Sequence, residues 1–173
     1  MVTVRPEASG DESAIRDVNL QAFGGPHEAL LVEALRRDGL IHVSLVAEEH
    51  GTVIGHILFS RLFIDGADDA IPALALAPMA VVPERQRQGI GSRLIEAGLT
   101  RSREIGERIV LVVGHPHYYP RFGFSHTLVG NLRSAYESDA FMALELQPYA
   151  LEGVSGTVRY PAPFDADSWR RSG

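Results

Sequence analysis

Residues 86–91 read Gln-Arg-Gln-Gly-Ile-Gly, with two closely spaced glycines where an apolar run gives way to a helical pattern. Glycine allows left-handed dihedrals and a close approach of backbone to ligand. The first amides of a helix have no intrahelical acceptor, and they lie at the positive end of its dipole. Such a junction can hold a pyrophosphate through main-chain donors, with Arg85, Arg87 and Arg93 adding positive charge. Two phosphate-loop patterns fail here. Leu94 occupies the place of the third glycine in the dinucleotide pattern, and no G-K-[ST] follows. Paired glycines ahead of a helix are also ordinary turn chemistry, so spacing alone leaves both readings standing.

Other chemistries are narrower. The chain has no cysteine, which excludes a disulfide framework, a thiolate zinc site and a thiol nucleophile. His115 and His117 form an incomplete ligand set, so no metal is expected. Ser155 is no hydrolase elbow, which needs glycine two positions away on both sides: Gly153 precedes it, but Thr157 follows. A formal net charge of -6 counts against nucleic acid as the main partner. The N-terminus has no apolar h-region, and no run approaches the roughly 20 apolar residues that span a bilayer. The expectation is a soluble cytoplasmic protein without membrane contact.

The elements that must position these residues follow from periodicity. At 173 residues the chain reads as one domain, 1–173, with an extended C-terminal segment from about 148 to 173. A short strand at 2–5 stops at Pro6, and a helix then places Ile15, Val18, Ala22 and Phe23 on one face. After Gly24-Gly25-Pro26, a second helix from about His27 carries Leu31, Val32 and Leu35 inward. Apolar runs at 43–48 and 53–63 meet at a His50-Gly51 hairpin turn, and a third run covers 73–82. A helix from the glycine pair points Ile90, Leu94, Ile95 and Leu99 inward, and Ile109–Val113 reads as a strand buried on both faces. Late strands are expected at 141–146 and 158–160, and Tyr160-Pro161-Ala162-Pro163-Phe164 reads as extended. That tail could cover a sheet edge or contact a second subunit in a homodimer. The order predicts an α/β protein with a mixed sheet.

Residues 82–94, from Val82-Pro83 through Gly89-Ile90-Gly91 to Leu94, resemble the acyl-CoA loop of GNAT-type N-acetyltransferases, whose signature is [QR]-x-x-G-x-[GA]. The preceding Leu76-Ala77-Pro78-Met79-Ala80-Val81-Val82 is similar to that family's fourth strand, and Tyr119-Pro120-Arg121-Phe122-Gly123-Phe124 to its Y-x-x-x-G-F segment. Gly55-His56-Ile57-Leu58-Phe59-Ser60 and residues 118–124 also resemble a subgroup of small bacterial members. Single motifs are weak; three in the family's order are specific.

The resemblance implies a mostly antiparallel central sheet flanked by helices, with a splay between the fourth and fifth strands. It implies acetyl-CoA as co-substrate and direct transfer to an amine, of a small molecule or a protein, in a ternary complex. Arg87, Gln88, Gly89, Ile90, Gly91 and Ser92 would hold the pyrophosphate. Ala80, Val81 and Val82 would pair with the pantetheine arm and supply a main-chain amide for the oxyanion. Tyr119 matches the proposed general acid, while Tyr118 suits packing. Glu28 lies in the helical region that lines the family's acceptor cleft, although a carboxylate at a helix start also simply suits the dipole. His56 and a water chain are the other candidates for the base. The rival reading is a non-catalytic acyl-CoA sensor.

Overall fold

The computed structural model describes residues 1–165. The opening alternation forms β1 (Thr3–Pro6), which pairs antiparallel with β2 (Ile41–Glu49); β2 in turn pairs antiparallel with β3 (Thr52–Asp65). The turn between β2 and β3 has φ of 50° at His50 and 76° at Gly51, the paired left-handed residues of a two-residue hairpin. Two helices, α1 (Glu12–Phe23) and α2 (His27–Arg37), lie between β1 and β2 in sequence. Then come β4 (Ala70–Val81), α3 (Ile90–Glu104), β5 (Ile109–Val113), β6 (Leu132–Arg133), β7 (Phe141–Glu145) and β8 (Gly156–Arg159). The strand order is β1-β2-β3-β4-β5-β7, with β8 pairing β3 and β6. The sheet is mixed and mostly antiparallel, as expected. β5 runs parallel to β4 through only Leu74↔Val110 and Ala75↔Leu111, a short ladder of the kind a splay requires.

The chain groups into two units. The first holds Met1–Ser60, Ala77–Gly98 and the turn Ala162–Asp165. Its core contains Ile15, Val18, Val32, Leu35, Ile57, Phe59, Leu94 and Ile95, all buried. Helix α3 comes close to β3 because two glycines leave room. A Cβ on Gly55 would stand 3.1 Å from the Leu94 side chain, and one on Gly98 would stand 2.3 Å from the Phe59 ring. Ion pairs fasten the periphery: Arg36 grips both carboxylate oxygens of Glu7 at 2.7 Å, and Arg5 bonds Asp11 at 2.7 Å and Glu48 at 2.5 Å.

The second unit holds Arg61–Leu76 and Leu99–Pro161. β5 is buried from Ile109 to Val112 and pairs antiparallel with β7, whose Phe141 to Leu144 are also buried. Arg61 donates to both oxygens of Glu107 and, at 3.1 Å, to the Ala73 carbonyl.

Three expectations need correction. Phe23 is 44% exposed, because it sits about 140° around the helix from the buried Val18 and cannot share its face. Leu31 is only half-buried, while Ala29 is buried on the face of Val32. The tail is not simply extended: β8 pairs with β3, Ala162–Asp165 forms a 3-10 turn, and Phe164 is buried. The expected C-terminal segment also includes residues 166–173, which lie outside the described residues. Among the described residues, no helix is long and apolar enough to cross a membrane.

Gly98→Ala should destabilise the chain. A helix-interior alanine contributes up to about 1 kcal/mol of propensity, but a methyl 2.3 Å from the fully buried Phe59 ring forces repacking that costs about 1–3 kcal/mol. Urea unfolding should show a lower midpoint with an unchanged slope.

Candidate functional site

The loop of the first unit is built outward from the end of β4. Ala80, Val81 and Val82 are all buried. The Val82 N–H donates to the Ile54 carbonyl at 3.0 Å, and the Ala80 carbonyl lies 3.3 Å from where a Cβ on Gly55 would stand. Ala80 and Val82 therefore turn their main-chain groups toward β3. Strand alternation turns those of Val81 the other way. Of the three residues expected to receive the acyl arm, Val81 offers an N–H directed away from β3, whereas that of Val82 is already engaged.

Beyond Val82, Pro83–Arg85 forms a 3-10 turn closed by Arg85 N–H to the Val82 carbonyl at 2.9 Å. Two left-handed residues follow, Arg87 at φ 62° and Gly89 at φ 81°. A left-handed arginine costs about 1–2 kcal/mol and persists only where the surroundings impose it. They do so here. Gln86 Nε2 donates to the Val81 carbonyl at 2.9 Å, Arg85 Nε to Gln88 Oε1 at 3.0 Å, and Gln88 Nε2 to the Glu84 carbonyl at 3.2 Å. Arg85 also pairs with Glu49 on β2, whose carboxylate is held below its usual range chiefly by that guanidinium. Arg85, expected to add charge for a phosphate, is thus a brace.

The Arg93 N–H bonds the Gly89 carbonyl at 3.1 Å, so the helical ladder of α3 starts there. Amides ahead of Arg93 have no helical carbonyl four residues back. Ile90 is buried and anchors this start, while Arg87, Gln88 and Gly89 are exposed, and nothing lies within 4 Å of where a Cβ on Gly89 would stand. Main-chain donors beside open space, at the positive end of a fifteen-residue helix, fit the pyrophosphate of a CoA.

In the second unit, Tyr119 opens the 3-10 turn Tyr119–Phe122 after β5 and is buried. Its ring covers Gly114, where a Cβ would stand 2.3 Å from Cε2. Tyr118 and Phe124 meet it edge-on, with centroids at 5.3 and 5.7 Å. Burial, and secondarily Tyr118, pushes the Tyr119 phenol up to about 12. Tyr118 packs against Phe122 and under Arg121, the packing role expected of it. His115 and His117 are exposed, and no group of three or more His, Asp or Glu able to hold a metal occurs among the described residues. Glu28 is half-buried in the first turn of α2.

His56 cannot serve as the base. It is fully buried, with Nδ1 at 3.3 Å from Asn19 Nδ2 and Nε2 at 3.1 Å from Ser44 Oγ. Asn19 also donates to the Ile15 carbonyl at 2.9 Å, so Nδ1 of the imidazole accepts and Nε2–H faces Ser44. Burial, helped by Arg36, lowers its pKa to about 3. Asn19 and Ser44 were missed from sequence; a lone Asn one turn after Ile15, on the buried face of α1, was the available signal.

Comparisons with known proteins show the family. Residues 41–126 match the family model of an acetyltransferase (GNAT) domain. The Escherichia coli N-acetyltransferase YhbS is 34% identical over 165 residues, covering 94% of this chain and 98% of its own. Its crystal structure in complex with CoA superposes with a TM-score of 0.88, at 32% identity over 96% of this chain and 93% of that one. A GNAT family acetyltransferase from Brucella melitensis, crystallised with acetyl-CoA, gives 0.80 at 36% identity, covering 95% and 99%. The E. coli N-acetyltransferase YjhQ is 45% identical over 116 residues, 66% of this chain, and the match spans 64% of the length of that protein.

Two outcomes follow from the packing. Gly114→Ala should displace the Tyr119 ring and destabilise the fold by about 1–3 kcal/mol, read in urea unfolding. His56 stays neutral in the fold, while the unfolded chain takes up that proton below about 6.5, so the contribution of His56 is whole above pH 6.5 and is lost as pH falls toward 3. Stability should drop by roughly 1 kcal/mol per pH unit in that window. The pH slope of His56→Leu should be shallower by that amount; an equal slope would remove the assignment.

Proposed function

We propose that this chain, which belongs to the GNAT family of acetyl-CoA-dependent N-acetyltransferases, moves an acetyl group to a primary amine of a small molecule or a protein in a direct ternary complex. The observation that carries the reading is the prebuilt loop, with left-handed Arg87 and Gly89 leading into the N-terminus of α3. Acetyl-CoA supplies the thioester, an electrophilic carbonyl with a thiolate leaving group.

Main-chain amides of residues 87–92 hold the pyrophosphate. Val81, and by the same alternation Met79, present N–H groups away from β3, and these are the donors for carbonyl oxygens of the acyl arm. A rigid strand amide needs no reorganisation when charge develops, which is where such donors contribute most. Tyr119, with its pKa near 12, keeps its proton across the physiological range and therefore acts as donor to the departing sulfur, never as base. Glu28 orients or deprotonates a cationic amine. The absence of cysteine suits transfer without a covalent acyl-enzyme. A single catalytic domain acting in the cytoplasm, able to pair as a homodimer, completes the proposal.

Incubation with acetyl-CoA and a panel of primary amines should release free thiol only when an amine is present. Tyr119→Phe should lower that rate about a hundredfold, the scale of a lost general acid, with acetyl-CoA affinity within twofold. Binding without turnover across the panel would favour the acyl-CoA sensor instead.

A further inference from the structure

We infer that Arg61 is a positioning residue for the acyl arm, fastening the closed end of the fork at which β5 parts from β4. The inference rests on the reading that the arm lies along β4. In the second unit β4 and β5 run parallel and share two rungs, Leu74↔Val110 and Ala75↔Leu111. Parallel pairing is slightly weaker per residue than antiparallel, and two rungs hold the angle between the strands only loosely. Arg61, on β3, reaches both strands' approaches to that ladder. Its Nη1 donates at 3.1 Å to the carbonyl of Ala73, the residue before the first rung on β4, and at 3.0 Å to Glu107 Oε2. Its Nη2 donates to Glu107 Oε1, and Glu107 lies two residues ahead of β5. Because the strands are parallel, Ala73 and Glu107 mark the same end of the fork. The clamp closes that end and leaves the other unfastened.

Both anchors are rigid. Glu107 closes a Schellman turn at the end of α3: Gly106, at φ 88°, sends its N–H to the Arg103 carbonyl at 3.0 Å, and the Glu107 N–H reaches the Ser102 carbonyl at 3.0 Å. Ala73 and Ser102 are fully buried. The side chains of Arg61 and Glu107 are only 16% and 12% exposed, so their pair is shielded from the screening that makes a surface pair weak. Two parallel N–H bonds from guanidinium to carboxylate fix direction as well as distance. With the clamp gone, two rungs alone set how β5 leaves β4, and the arm has to order the strands as it binds, which weakens binding. The nucleotide end of the cofactor, read as held by residues 86–92, does not draw on Arg61.

The test uses the full chain and two probes, CoA and adenosine 3′,5′-bisphosphate, which carries nucleotide phosphates without the arm. Replacing both partners, Arg61→Met with Glu107→Leu, leaves no buried charge unpaired and so keeps the fold. That double variant should bind CoA about tenfold more weakly, the scale of lost preorganisation, with bisphosphate affinity within twofold. A merely structural role would move both probes alike, or neither. Amide exchange without ligand reads the fork itself. The Gly114 N–H bonds the Ala140 carbonyl at 3.0 Å on the β7 side, so alternation turns the Leu111 N–H toward β4 and that of Val112 toward β7. Leu111 should exchange about tenfold faster in the variant, since exchange reports the opening of its rung, while Val112 keeps its rate. Glu107→Gln, which keeps an oxygen acceptor and the side-chain shape, should show the same split at smaller size and decides the matter if the double variant does not fold. Equal changes in the two affinities, or CoA affinity within twofold of the unmodified chain, overturn the proposal. Failure of the unmodified chain to bind CoA is the separate failure of the cofactor reading, and Leu111 exchange then still decides whether the clamp exists.

Discussion

Between Val81 and Arg93 the chain changes from strand to helix through two left-handed residues, Arg87 and Gly89, with the bond from Arg93 N–H to the Gly89 carbonyl at the head of the helical ladder. That arrangement is costly by itself, since a left-handed arginine is unfavourable. It stands because neighbouring bonds impose it. Ile54 and Gln86 grip the Val81–Val82 peptide, Glu49 and Gln88 hold Arg85, and buried Ile90 plants the first turn of α3. Strained backbone held by a rigid frame is where ligands are met with little reorganisation.

The frame owes its rigidity to close approach rather than to bulk. Gly55 and Gly98 let Leu94 and Phe59 bring α3 onto β3 without a Cβ between them. Asn19, His56 and Ser44 link α1, β3 and β2 through a polar chain in which Asn19 and His56 are fully buried. A buried polar group that keeps its partners specifies geometry, and one that loses them is strongly destabilising. The neutral imidazole thus acts as a fastener for the helix that precedes Gly24 and Gly25. In the second unit the same device recurs, with Gly114 clearing a flat seat for the Tyr119 ring.

Much of this was legible in the sequence where one physical cause dominated. The helical spacing of Ile90, Leu94, Ile95 and Leu99 put all four in the core. His50-Gly51 marked its hairpin, because few residue pairs accept two left-handed conformations. Legibility failed where the cause lay far along the chain. Arg85 reads as one more positive charge near the loop until Glu49, 36 residues away, is placed beside it. His56 remains a candidate base until Asn19 and Ser44 close around it. Phe23 is apolar but lies off the buried face of α1, which its spacing from Ile15 and Val18 decides. Glu28 keeps both of its readings, since a half-buried carboxylate in a first helical turn serves a dipole as well as a substrate. Nothing in residues 86–92 bears on the acceptor.

The central claim is that main-chain N–H groups at the start of α3 hold the pyrophosphate. Titrating CoA into the isotopically labelled chain and following backbone amides by NMR tests it directly. Saturable downfield shifts concentrated at Arg87 to Ser92, the mark of N–H donors engaging an anion, are the predicted result. Saturation with those amides unmoved would contradict the account, because the ligand would then be held somewhere else.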